Sequence, residues 1–165
     1  MHSLQPLKMS ESPQPFWQQK PLEQLSAKEW ESLCDGCGVC CLNKLEDEDS
    51  GEIYLTNVAC DLLDTCNARC SDYNDRFSLA PDCTLITPEV ARTAAWLPSS
   101  CAYRLLAHNQ PLPSWHPLIS GNPDTVSQLG LSIRNKVIHE NEVGDREYAE
   151  FIIDEAELTP TQSPV

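Results

Sequence analysis

The stretch Cys34-Asp35-Gly36-Cys37-Gly38-Val39-Cys40-Cys41 sets four thiols within eight residues, with two glycines between them that let the backbone fold closely around whatever the thiols hold. Five more cysteines follow at Cys60, Cys66, Cys70, Cys83 and Cys101, and none lies before position 34 or after 101. A free cysteine packs well as a small hydrophobe, but surplus thiols are a redox liability. Core packing alone does not explain nine of them. The fold expected from this pattern is α+β: a small, irregular, metal-stapled single domain with a few short helices and a minor sheet.

The thiols could be disulfides or metal ligands. A disulfide framework expects an oxidising compartment and an even count, whereas this count is odd. The opening Met1-His2-Ser3-Leu4-Gln5-Pro6 carries no apolar signal region, so a cytoplasmic setting is expected. Cys40 and Cys41 would be hard to pair with each other without strain. Metal is the better reading, and soft thiolates select zinc, copper(I) or iron–sulfur clusters.

Cys34, Cys37 and Cys40 form C-x2-C-x2-C, the run that bacterial ferredoxins use for three corners of a cluster. A fourth thiolate would come from Cys60, Cys70, Cys83 or Cys101. Tetrahedral zinc could draw on the same residues, since C-x2-C is also a zinc knuckle, and spacing alone does not separate the two. Neighbouring side chains point apart, so Cys40 and Cys41 do not serve one mononuclear metal equally. Either one of them packs, or two metals or a cluster lie close together.

The composition narrows the partners. A chain of 165 residues with a 41% hydrophobic fraction suits one domain. Its formal charge of −14, with no run of Lys and Arg, opposes phosphate backbones, so nucleic acid is not expected as a partner. Apolar runs such as Phe151-Ile152-Ile153 are far shorter than the roughly 20 residues of a membrane span. Metal ions, and a protein partner with a basic surface, remain compatible.

Along the chain, residues 1–14 read as a disordered arm, 15–158 as the cysteine-cluster domain and 159–165 as a frayed tail. Leu22, Leu25, Trp30 and Leu33 recur at helical spacing, and Ser26 with Glu29 forms a capping-box signature, so a short helix should lead into Cys34. Glu46 to Glu52 fails the EF-hand register and reads as a solvated turn. Ile53 to Val58 reads as a strand. The Cys60–Cys83 stretch is loop-rich, needing little regular structure if metal fixes it.

Thr87-Pro88-Glu89 should start a helix running to about Trp96, and Ser99 or Ser100 should cap another through Leu106. Pro111 to Leu118 reads as extended, Ser120 to Asp124 as a turn, and Leu131 to His139 as a second strand pairing with the first. There is no internal repeat, and no G-x-S-x-G, P-loop or G-x-G-x-x-G. The radical-type C-x3-C-x2-C spacing is absent too.

Cys34 to Cys41 resembles the signature of the CxxCxxCC family of cysteine-cluster proteins, for which the implied property is chelation of zinc or iron. Arg69-Cys70-Ser71-Asp72-Tyr73-Asn74-Asp75-Arg76 with Pro81-Asp82-Cys83 looks like that family's second signature. Trp96 to Arg104 and Trp115-His116-Pro117-Leu118 are similar to its YcgN-like branch of small bacterial proteins, and the likeness spans about residues 16 to 140.

The resemblance implies Cys34, Cys37, Cys40, Cys41, Cys60, Cys70, Cys83 and Cys101 as metal ligands. Cys66 departs from the pattern: the middle thiols read C-x5-C-x3-C where the branch has C-x7-C-x-C. Tyr73 and Arg76 are candidates to support the thiolates by hydrogen bonding and positive charge. His116, between Trp115 and Pro117, suits a structural turn better than a ligand.

Three function classes stand. One is a metal-binding protein holding an iron–sulfur cluster or iron, the favoured cofactors, or zinc, in metal handling or redox. Another is an interaction module in which zinc is structural. The third is a protein-modifying enzyme related to the flagellin lysine methylases, which couple a similar cysteine motif to modification of a protein.

Overall fold

The computed structural model describes residues 12–158; residues 1–11 of the expected arm and all of the expected tail at 159–165 lie outside the described residues. After a short helix α1 (Phe16–Gln19) and a single turn at Leu22–Gln24, the expected lead-in helix forms as α2 (Ala27–Ser32). Its capping box is complete: the Ser26 hydroxyl accepts from the Glu29 N–H, and the Glu29 carboxylate accepts from the Ser26 N–H. Leu22 and Leu25 therefore precede the helix proper, which is shorter than the hydrophobic spacing implies.

The sheet is built around the strand foreseen at Ile53. Strand β1 (Leu42–Glu46) pairs antiparallel with β2 (Ile53–Ala59) through the turn at Asp47, whose carboxylate accepts from the N–H groups of Asp49 and Ser50. Two-residue strands β3 (Leu63–Asp64) and β4 (Arg69–Cys70) form a separate ladder, and α3 (Arg76–Leu79) follows.

Helix α4 (Pro88–Thr93) starts at the Thr87 cap, as its sequence requires, but ends before Trp96. The chain turns extended at Ala94 so that Leu97 can bury fully, and tertiary packing wins over helical continuation. Helix α5 (Ala102–Ala107) has Cys101 at its N-cap position rather than a serine. Ser99 is occupied elsewhere, its N–H and hydroxyl both donating to Glu155.

Two further expectations are corrected. Pro117 begins α6 (Pro117–Ser120), because proline is pre-organised for a first helical position, so the extended segment stops earlier. After α7 (Thr125–Gln128), the stretch from Leu131 forms only β5 (Ile138–His139), which runs parallel to β2. Ile133 is instead a fully buried anchor whose N–H donates to the Cys37 carbonyl at 2.9 Å. Strand β6 (Ile152–Ile153) pairs antiparallel with β2, and α8 (Glu155–Leu158) closes the described chain. The architecture is a small α+β domain of short helices around a modest, mostly antiparallel sheet.

Three small cores replace one large one. Val39, Leu42, Ala59, Leu63, Ala68, Ile133 and Leu158 form the first, with Cys37 and Cys41 packed against it. Leu33, Ala91, Ala102, Tyr103 and Leu112 form the second, which takes in Cys101. Trp115, Val126 and Leu131 form the third, again touching Cys37. The cysteine run follows directly on Leu33 of the second core and touches the first through Cys37 and Cys41 and the third through Cys37.

Candidate metal centre

Two glycines shape the loop between Cys34 and Cys41. Gly38 has φ +80°, and a Cβ there would come within 2.6 Å of Ile133 Cγ1 and 3.2 Å of Ala68 Cβ. Only glycine fits such close packing at a left-handed residue. Gly36, at φ +77°, leaves room for the Arg69 guanidinium, which a Cβ would meet at 3.4 Å. The tight turn Val39–Cys41 follows and passes straight into β1.

Polar contacts lock this loop from several sides. Asp35 is buried, and its Oδ1 accepts from the Cys37 N–H at 2.9 Å, while its Oδ2 is buried with no partner. Lys44 donates to the carbonyls of Val39 and Cys40, each at 3.1 Å, and of Leu42 at 2.5 Å, with Trp96 5.3 Å from its ammonium. His116 is fully buried. Its Nδ1 accepts from the Leu118 N–H at 3.1 Å, so Nε2 carries the proton and donates to the Leu33 carbonyl at 2.9 Å. Both ring nitrogens are committed to backbone, and His116 fixes the residue just before Cys34 as the structural group its sequence context suggested.

The thiols fall into electrostatic groups. Burial pushes the Cys34 thiol up to about 12, with Cys40, Asp35 and Cys101 adding to the rise. Burial likewise holds Cys37 well above the usual thiol range, helped by Asp35, Cys40 and Cys34. Cys101 is pushed up to about 11 by burial, with Cys40 and Asp35 contributing. Cys41 donates its S–H to Cys40, which lowers the Cys40 pKa and raises that of Cys41; Lys44 also favours the Cys40 thiolate. Cys60 is raised by burial first, then by Glu140, Cys70 and Cys83.

Cys34 and Cys40 are nevertheless solvent-accessible. Protonated thiols must lose their protons to ligate, so metal uptake here would release protons.

All nine cysteines are free. Among the described residues, no three His, Cys, Asp or Glu side chains converge closely enough to hold a metal ion as they stand. The donor chemistry does fit a cation. The buried Oδ2 of Asp35, inside the cysteine run, has no hydrogen-bond partner, and an unpaired buried acceptor of that kind is costly unless positive charge reaches it.

The remaining candidates sit around this centre. The Tyr73 hydroxyl donates to Glu31 at 2.7 Å, and burial and Glu31 push its pKa up to about 12, Cys34 adding a smaller effect. Arg76 donates to the Tyr73 carbonyl and stacks on the Tyr73 and Phe77 rings at 3.7 and 4.2 Å. Cys66 is exposed in the turn that Asp64 closes. Surface cavities of about 460 and 690 Å³ among the described residues are lined by no cysteine.

Sequence reasoning did not pick out Asp35, Lys44 or Arg69. Signals for two of them were present. Asp-Gly two residues before Cys37 is an Asx-turn signature, and Lys44 is the only Lys or Arg between Lys28 and Arg69.

Residues 33–102 match the CxxCxxCC family, described as a "Putative zinc- or iron-chelating domain". A UPF0260 protein of Rhizorhabdus wittichii is 54% identical over 134 residues, covering 81% of this chain and 92% of its own length. One from Vibrio parahaemolyticus is 56% identical over 133 residues, covering 81% and 91%. One from Rhodopseudomonas palustris is 50% identical over 159 residues, covering 96% and 94%. No solved structure matches the chain. No described helix is long and apolar enough to cross a membrane. The chain belongs to the UPF0260 proteins of the CxxCxxCC family, and metal binding is the property that this membership supports.

Proposed function

We propose that this protein is a cytoplasmic metal carrier or redox protein, built on residues 15–158, that holds an iron–sulfur cluster or iron through its clustered cysteines. Cys34, Cys37, Cys40 and Cys101 are the first ligand set. The observation that carries this reading is Asp35: a buried carboxylate inside the cysteine run, with Oδ1 bonded to the Cys37 N–H and Oδ2 left unpartnered. A cation bound among them would satisfy the carboxylate and offset the crowding of thiolates.

Iron–sulfur is favoured over zinc because C-x2-C-x2-C supplies three corners of a cluster. Gly36 and Gly38 also leave backbone N–H groups accessible for hydrogen bonds to sulfur, which tune a cluster's potential. Protein purified without oxygen should be coloured and contain iron and acid-labile sulfide in matched amounts. Colourless protein with near-stoichiometric zinc from an iron-replete preparation would overturn the iron reading.

That second outcome would favour an interaction module with structural zinc. One observation already leans that way: Tyr73, Phe77, Leu79 and Leu85 are large apolar side chains left exposed in one segment beside Cys83. A protein partner covering them is the natural occupant under that reading.

A further inference from the structure

We infer that residues 73–85, none of them buried, form a docking surface for a second protein, and that the partner presents a basic amphipathic segment in which Lys or Arg side chains are interleaved with apolar ones. The inference goes beyond the metal reading and holds whichever metal the thiols take.

Large apolar side chains are left exposed at seven described positions, and four of them, Tyr73, Phe77, Leu79 and Leu85, fall within this one stretch. Scattered singly they would need no account; gathered like this they mark a contact. The Arg76 guanidinium stacks on the Tyr73 ring at 3.7 Å and on the Phe77 ring at 4.2 Å, joining the two into one ledge. The same side chain donates to the Tyr73 carbonyl. Tyr73 is itself tied to α2, its hydroxyl donating to Glu31 at 2.7 Å. Leu79 ends α3, and the turn beyond it is closed by the Cys83 N–H donating to the Ala80 carbonyl at 2.9 Å, so Leu85 follows a few residues on. Local bonds thus hold apolar side chains toward water, a cost that a covering partner removes.

Charge identifies that partner. Asp72, Asp75 and Asp82 lie among these side chains, and no ion pair among the described residues takes any of the three carboxylates. Arg76 is the only Lys or Arg between Arg69 and Arg92, and its guanidinium is committed to the two rings. The surface is therefore apolar with unmatched negative charge around it, on a chain of formal charge −14. A second copy would bring the same charge against itself, and the phosphates of lipid or nucleic acid would be repelled likewise. A basic amphipathic segment meets both demands: its apolar side chains cover the ledge and its cations answer the carboxylates. Tyr73 is near enough to Cys34 for the thiol to act on its ionisation, so the partner would sit at the edge of the cysteine run.

The test uses the full-length protein with the metal it carries on isolation and two labelled peptides. One has leucines on one helical face and lysines on the other; its counterpart has glutamate in place of lysine. The lysine peptide should bind, more weakly as salt rises, and should slow hydrogen exchange within residues 72–85, while the glutamate peptide does not bind. Phe77→Ser with Leu79→Ser should weaken binding about tenfold or more. Asp72→Asn with Asp75→Asn and Asp82→Asn should weaken it too and flatten its salt dependence. A lysine peptide that fails to bind, that binds both variants as it binds the parent, or that protects amides elsewhere would overturn the proposal. Self-association that Phe77→Ser abolishes would give the surface to a second copy, and tighter peptide binding after deletion of residues 1–11 would give it to the chain's own N-terminal segment; either result overturns the basic partner.

Discussion

The chain from Cys34 to Cys41 and the chain from Cys60 to Cys83 carry similar thiols on very different supports. The first packs against two apolar cores, follows Leu33 of a third, and is pinned by Asp35, Lys44, His116 and Ile133. The second has two two-residue strands, one four-residue helix and many exposed polar side chains. Burial can position donors without metal in the first region. In the second, Leu63 and Ala68 reach the first core and the Leu63 and Thr65 carbonyls are bonded to His139 and Asn135, but none of residues 71–83 is buried, so under the proposed reading ordering them would fall to whatever the thiols bind. One family match spans both, yet packing holds the first region, whereas under the proposed function coordination would order the second.

The largest effect should come from removing metal. Structural zinc contributes on the order of 10–16 kcal/mol in small domains, far more than the contacts available to residues 60–83. Chelation under reducing conditions should open that region to proteolysis and hydrogen exchange while amides of residues 33–42 keep much of their protection. Equal loss in both regions would break the contrast. Unchanged protection in a verified metal-free sample would show that the loop holds itself.

His116→Ala tests the packed side. It would leave the Leu33 carbonyl and the Leu118 N–H unpaired in a buried place and open a cavity beneath Cys34. A loss of roughly 3–5 kcal/mol in denaturant unfolding is expected. A cost below about 1 kcal/mol would mean that the loop does not depend on this lock.

How much of this was legible beforehand follows the same divide. The Ser26 capping box, the Thr87-Pro88 helix start and the β2 strand are local patterns, and each formed where its residues indicated. Strand β1 went unseen because Leu42-Asn43-Lys44-Leu45-Glu46 has little β-branched character; its pairing with β2 makes it a strand. Leu131 to His139 showed weak alternation, but burying Ile133 against Gly38 required that stretch to leave the sheet. In the site, the thiols announced themselves, whereas Asp35 and Lys44 matter through burial and long-range neighbours that no local spacing encodes.

Gly38→Ala makes a smaller test of the packed loop. A left-handed residue with a Cβ costs about 1–2 kcal/mol, and the clash with Ile133 adds about 1–3 kcal/mol if the neighbour must shift. The thermal midpoint should fall, and metal affinity with it, since Cys37 and Cys40 flank the residue. Lowered stability with unchanged metal affinity would separate the fold of the loop from its donors.

The smallest effect is expected at Cys66. It is displaced relative to the family pattern, exposed, and carried in a turn that is closed by the Asp64 carboxylate rather than by its own side chain. An exposed substitution away from caps, cores and networks changes stability by less than about 0.5 kcal/mol, so Cys66→Ser should leave both metal content and unfolding as they are. Cys37→Ser is the matched control, because that thiol is half-buried between two cores and should take bound metal with it. A Cys66→Ser protein that loses metal as Cys37→Ser does would put Cys66 among the ligands. The second region would then hold its metal with a thiol that the fold leaves in solvent, and the contrast between the two supports would be steeper still.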